Sequence, residues 1–216
     1  MTRSPAEDSP ETIRVLVVDD HPLMRTGIAA MLNREADVAV VGEAGDGREA
    51  IERYRELRPT VTLMDLRMPE LDGIASIEAI IGEFPDARII VLTTYEGDVD
   101  IHRALVAGAC GYLLKGMVGA EVVSATRTAA RGDRVIPAVV AQRLAEHTPR
   151  VDLTEREHAV LELVAKGLRD KDIARVIGRT EHTAKIHVKS ILAKLGAADR
   201  TEAVSIAMAR GYLHSE

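Results

Sequence analysis

Residues 61–73 read VTLMDLRMPELDG, an apolar run that ends on an acid, Asp65, with Met68-Pro69 and Asp72-Gly73 close behind. Ionised carboxylates avoid apolar neighbourhoods unless something holds them there. A short run of near-continuous apolar character is the mark of a parallel strand covered on both faces. Asp65 then stands at the carboxyl end of that strand. Pro69 and Gly73 shape the loop that follows, proline by fixing φ and glycine by permitting strained backbone.

The same pattern recurs on either side. IRVLVV (13–18), VAVVGE (38–43), TVTLM (60–64), RIIVL (88–92) and GYLL (111–114) read as strands. Amphipathic stretches at 22–34, 47–57, 73–83, 98–108 and 119–131 alternate with them. Five βα units predict a doubly wound α/β domain with a five-stranded parallel sheet over residues 13–133. After Gly132 the rhythm stops. Residues 134–151, with Pro137 and Pro149 around a short helical stretch, read as a linker. From Leu153 no strand pattern returns, and helical stretches near 154–166, 170–177, 181–195 and 200–210 predict a second, all-α four-helix domain over 152–213. Thr154 with Glu157 is set for a capping box, and Thr180 can cap the third of these helices. Residues 1–12, opening MTRSPAEDSPE, read as a disordered tail.

Composition narrows the class. At 46% hydrophobic and 29% charged, 216 residues can bury two modest cores. No stretch approaches the roughly 18 apolar residues of a membrane span, and the opening lacks the apolar region of a secretory signal. The single cysteine, Cys110, excludes an internal disulfide framework and thiolate zinc sites; between Ala109 and Gly111 it reads as a small core residue. A cytoplasmic setting is expected. The net charge of −6 hides a division: residues 1–150 hold 17 basic and 24 acidic side chains, a balance of −7, while residues 151–216 hold 11 and 10, a balance of +1. Residues 179–200 are richer still, with five basic side chains to two acidic and two histidines besides.

Asp19 and Asp20 follow the first strand as Asp65 follows the third. In a doubly wound sheet of order 2-1-3-4-5 those strands are neighbours, and ligands bind at their carboxyl ends. Three carboxylates in one crevice raise one another's pKa or demand a cation, and oxygen ligands with room for water suit Mg²⁺. Helix caps and turn acids could account for any one of them but poorly for all three. Thr93 and Lys115 end the fourth and fifth strands. A nucleophile, metal ligands, a hydroxyl and a cation form a set suited to phosphoryl transfer onto an aspartate.

These residues, in this order and spacing, resemble a response-regulator receiver domain of flavodoxin-like fold. The resemblance implies that Asp65 accepts a phosphoryl group from the histidine of a sensor kinase. Asp19, Asp20, Asp65 and the main-chain carbonyl of Arg67 would hold Mg²⁺, Thr93 and Lys115 would contact the phosphoryl group, and Tyr112 would be the aromatic switch residue. One departure is Gly116, where many receivers carry proline.

The third C-terminal helix, TEHTAKIHVKSILAKL (180–195), places Ala184, Val188, Ile191 and Leu195 on one stripe at 100° per residue. His182, Lys185, Ile186, Lys189 and Ser190 fall on nearly the opposite side. An outward isoleucine between lysines suits the DNA major groove, with the lysines near phosphates or guanine edges and the isoleucine against a thymine methyl; a solvated basic face is the plainer alternative. LTEREHAVLELVAKGLRDKDIA, TEHTAKIHVKSILAKLG and DRTEAV resemble the LuxR-type helix-turn-helix domain, and the whole chain is similar to NarL/FixJ-type response regulators. Departures are Arg169-Asp170 in place of Ser-Asn, Arg179 in place of an apolar residue, and Ala184 in place of valine. The resemblance implies base contacts from Lys185, Ile186 and Lys189, and backbone contacts from Thr183, His187 and Lys194. It also implies dimerisation through the last helix (Ala203, Val204, Ala207, Met208), although a plain core helix fits there too. The implied partners are a sensor histidine kinase, promoter DNA, RNA polymerase and a second copy of the chain. On this reading the protein is no enzyme beyond its own phosphorylation and dephosphorylation. Two other classes compete: a Mg²⁺-dependent phosphohydrolase using the same acids, and a relay whose C-terminal helices dock a protein.

Overall fold

The computed structural model describes residues 12–94, 97–117, 119–146 and 153–213. The expected tail therefore lies almost wholly outside the described residues, as does the end of the expected linker (147–151). The chain divides into two compact units, the main division falling between Val140 and Ala141.

Along residues 13–130 the strands β1 (Ile13–Val18), β2 (Val38–Ala44), β3 (Val61–Met64), β4 (Ile89–Thr93) and β5 (Gly111–Leu114) alternate with helices α1 (Pro22–Leu32), α2 (Gly47–Leu57), α3 (Gly73–Glu83), α4 (Asp98–Val106) and α5 (Ala120–Ala130). All pairings are parallel, in the order β2-β1-β3-β4-β5. Val15, Val17, Val61, Leu63, Ile90 and Leu92 are buried in one cluster with Ile28 and Leu32 of α1 and Val122, Ala125 and Ala129 of α5. Leu16, Val18, Met64, Ile89 and Val91, which alternate with them and point to the other face, are buried too; that two-sided burial is why the strands read as unbroken apolar runs.

The loop after β3 is built differently from the expectation. Gly73 has no positive φ. What it lacks is room: a Cβ there would lie 2.1 Å from the Asp65 carbonyl oxygen and 2.8 Å from Leu66 Cα. The left-handed residue of the loop is Glu70, at φ 62°, between Pro69, whose carbonyl accepts from Leu71 N at 2.7 Å, and Leu71. Asp72 caps α3, accepting from Ala75 N at 2.8 Å.

Past α5 the chain first returns to the sheet. Tyr112 N donates to Val135 O and Val135 N to Cys110 O, both at 2.9 Å, so the first residues of the expected linker extend the β5 edge as an isolated bridge. Cys110 is half-buried rather than a full core residue, and burial pushes its thiol pKa up. Pro137 then precedes a helix of its own, α6 (Ala138–Glu146).

The second unit carries α7 (Glu155–Ala165), α8 (Asp170–Ile177), α9 (Glu181–Leu195) and α10 (Arg200–Arg210). The Thr154–Glu157 capping box opens α7. Gly178, at φ 65°, ends α8 with Arg179 N bonded back to Ala174 O at 2.9 Å, a left-handed stop that glycine adopts without steric cost. Thr180 immediately caps α9. Ala184, Val188, Ile191 and Leu195 are buried as the periodicity requires, against Val160, Leu161 and Val164 of α7 and Ile173 and Ala174 of α8. Among the described residues no helix is long and apolar enough to cross a membrane.

Candidate functional site

Asp65 N donates to Val18 O at 2.9 Å, which ties the carboxyl end of β3 to that of β1 and brings Asp65 beside Asp19 and Asp20. Asp19 is 1% exposed and Asp65 4%. The Lys115 amine spans them, 2.6 Å from Asp19 Oδ2 and 2.7 Å from Asp65 Oδ2. Leu66 N holds the other Asp65 oxygen at 2.7 Å. Arg25, reaching back from α1, donates to the Asp19 carbonyl.

Burial pushes the Asp65 carboxyl above its ordinary pKa, and the Lys115 amine pulls the other way without cancelling it. On Lys115 burial favours loss of the proton, but the bonds to Asp19 and Asp65 outweigh it and the pKa rises. Two acids sharing one ammonium stay charge-starved, which is the electrostatic demand for a further cation.

The structure adds His21 to the acids expected from the sequence. Its ring Nδ1 lies 2.6 Å from Asp20 Oδ1 and its main-chain N donates to Asp19 Oδ1 at 2.9 Å. Ligand atoms of Asp19, Asp20, His21 and Asp65 all lie within 4.8 Å of one another. A donor set dominated by hard carboxylate oxygens fits a divalent cation of the Mg²⁺ kind. The signal for His21 was its place directly after the paired acids.

Thr93 ends β4, fully buried, two residues past the Val91 that stands in register with Met64. Tyr112 on β5, in register with Val91, is fully buried as well. Arg67 lies half-buried in the loop after Asp65.

In the second unit α9 exposes His182, Lys185, Ile186 and Lys189, with Ile186 54% exposed. Lys185 pairs with Glu181 one turn earlier at 2.8 Å, and that hydrogen bond raises the lysine's pKa and lowers the glutamate's. Thr183 is half-buried, its hydroxyl 3.0 Å from that of Thr180, and His187 is half-buried. Ser190 departs from the expected outward face: its hydroxyl donates to Glu157 Oε1 at 2.7 Å. Lys194, expected at the DNA backbone, donates to Glu157 Oε2 at 2.6 Å. The spacing along α9 could not show this, because the acid that turns both inward is on another helix.

With this geometry in view, two family models match the chain: the response regulator receiver domain over residues 15–127, and the luxR family of bacterial regulatory proteins over 151–207. The chain belongs to the response regulators. It is similar to the uncharacterized transcriptional regulatory protein YxjL of Bacillus subtilis (strain 168), 38% identical over 94% of this chain and 98% of that one. It is also similar to the response regulator protein VraR of Staphylococcus aureus, 39% identical over 89% and 95%. Among solved structures, RcsB of Salmonella typhimurium matches with a TM-score of 0.66 at 29% identity, over 90% of this chain and 98% of that one. A structure of two RcsB dimers bound to two parallel DNAs matches equally well, over 92% and 99%. This response regulator therefore joins a receiver of order 2-1-3-4-5, with an acidic pocket at its carboxyl edge, to a LuxR-type DNA-binding domain.

Proposed function

We propose that this response regulator is switched by phosphorylation of Asp65 and regulates transcription by binding promoter DNA through α9. The observation that carries the reading is the Lys115 amine shared between Asp19 and Asp65 at 2.6 and 2.7 Å. It marks Asp65 as a carboxylate held at a strand end among charges rather than a turn former.

A sensor kinase would present a phosphohistidine. An Asp65 oxygen forms the new O–P bond as the N–P bond breaks and the imidazole leaves. Asp19, Asp20, Asp65 and the Arg67 carbonyl would hold Mg²⁺, which when bound neutralises charge on the phosphoryl oxygens. Lys115, already a cation at the acceptor, offers a point charge to the same oxygens, and the Thr93 hydroxyl offers a hydrogen bond. Tyr112, buried on β5 in register with Val91, would be the switch residue. Catalysis goes no further than the protein's own phosphorylation and dephosphorylation.

We assign the receiver to residues 13–133, the linker to 134–151 and the DNA-binding domain to 152–213. In the last, Lys185, Ile186 and Lys189 face the bases and Thr183 and His187 the backbone. Phosphorylation favours a homodimer on DNA, as the RcsB dimers on DNA suggest by analogy; two-fold-related helices would meet half-sites about one helical turn apart. The work is cytoplasmic because promoter DNA is there, and RNA polymerase is the machinery it would influence. Asp65→Asn is expected to abolish incorporation of label from a small acyl-phosphate donor in Mg²⁺. Undiminished labelling would remove Asp65 from this role.

A further inference from the structure

Glu157 is 5% exposed, and a carboxylate so buried must be matched or it costs several kcal/mol. It is matched four times. Oε2 accepts from Thr154 N at 2.8 Å, from the Thr154 hydroxyl at 3.0 Å and from Lys194 Nζ at 2.6 Å, while Oε1 accepts from the Ser190 hydroxyl at 2.7 Å. Two of these bonds belong to the start of α7 and two to the second half of α9. Burial pushes the carboxyl up, yet the bonds from Lys194, Ser190 and Thr154 win and hold its pKa at about 2. Lys194 is itself only 18% exposed, against 59% for Lys185.

The apolar contact between α7 and α9 is non-directional and would tolerate small slides and rotations. Ser190 and Lys194 are four residues apart, on one flank of α9 beside the buried stripe. Bonds from both to one carboxylate, itself fixed by a helix cap, are directional and allow one register. We infer that Glu157 is a positioning residue for DNA recognition: it sets where α9 stands on α7, and it draws Lys194 inward so that this lysine is no phosphate contact. The inference rests on the proposal that α9 reads DNA. Recognition helices contact bases mainly through their N-terminal residues; a clamp on the second half of α9 therefore controls how Lys185, Ile186 and Lys189 are aimed.

The test uses the full chain and a duplex that the wild type selects from a random-sequence pool, with a scrambled duplex as reference, in a KCl series followed by fluorescence anisotropy. A phosphate contact contributes about 0.9 to the slope of log K against log salt. Lys194→Gln is expected to keep the wild-type slope, as a side chain that touches no phosphate should. Glu157→Gln, with helicity retained by circular dichroism, is expected to cut the preference for the selected over the scrambled duplex about tenfold. Adding Lys194→Met to it removes the unpaired buried ammonium and should recover stability but not the preference, because the bonds that fix the register stay broken. If Glu157→Gln does not fold, the double variant carries the same expectation of an about tenfold lower preference. A slope that falls with Lys194→Gln, or a folded Glu157→Gln or double variant with undiminished preference, overturns the inference. A wild type that selects no duplex fails a step earlier, and overturns the DNA reading along with it.

Discussion

Helix propensity and packing give opposite signs for Gly73→Ala. Gly73 is the first residue of α3, where alanine should gain up to about 1 kcal/mol over glycine. The added Cβ would lie 2.1 Å from the Asp65 carbonyl oxygen, 2.8 Å from Leu66 Cα and 2.9 Å from the Asp65 carbonyl carbon. All three are backbone atoms, so no rotamer change relieves the clash. Relief needs a shift on the order of 1 Å, against bonds from Asp65 N to Val18 O (2.9 Å) and from Gly73 N to Leu66 O (2.8 Å). Overpacking costs roughly 1–3 kcal/mol, and weakening the two bonds adds about 1 kcal/mol each. The net expectation is a loss of about 2–4 kcal/mol, which for a unit of this size lowers the receiver's Tm by about 10 °C. The same shift moves the phospho-acceptor, and misplacement of about 1 Å can slow a reaction about a hundredfold. Calorimetry of the full chain, with labelling by an acyl phosphate, measures both. A raised Tm with wild-type labelling would show that propensity wins and that the close approach imposes nothing.

Lys115→Met should destabilise the receiver by about 3 kcal/mol in chelator at neutral pH or above, because Asp19 and Asp65 lose the amine between them. Mg²⁺ should then raise the Tm of the variant more than that of the wild type; equal shifts would count against a shared cation pocket. For Glu157, the folded pKa of about 2 lies below the ordinary 4.5. The stability it contributes is therefore complete above about pH 4.5 and is lost as pH falls towards 2, up to about 3 kcal/mol in all. Acid titrations by circular dichroism of wild type and Glu157→Gln should converge across that window, and a pH-independent gap would refute the linkage. Lys189→Ala is expected to weaken promoter binding by about 1–3 kcal/mol, and wild-type affinity at matched salt would take Lys189 out of the groove.

Most elements follow from local pattern. α2, α3, α8, α9 and α10 begin and end where apolar period, caps and glycine stops place them, and no strand departs by more than a residue at either end. Local signals suffice there because a cap such as Thr154 or Asp72 satisfies donors only a few residues away. The acids and Lys115 were readable for a related reason: each ends a strand, and parallel order carries strand ends to one edge. The need for glycine at 73 is visible in the sequence but its cause is not, since φ is a local property whereas the crowding comes from a backbone eight residues upstream. Nothing in the sequence marks Val135 as part of the sheet, because a single residue pairing with a sheet edge has no periodicity to announce it.

Residue order along the chain was enough to establish a parallel α/β receiver, an acid-lined carboxyl edge and a helix with one basic face, because burial period and strand-end chemistry repeat within a few residues. Folding in three dimensions settled which polar groups on the flanks of those elements turn inward. On a helical wheel Ser190 falls outward and Lys194 on a flank, yet a buried carboxylate 33 and 37 residues earlier in the chain takes both. An unmatched charge in the interior is so costly that its partners go to it, wherever in the sequence they lie.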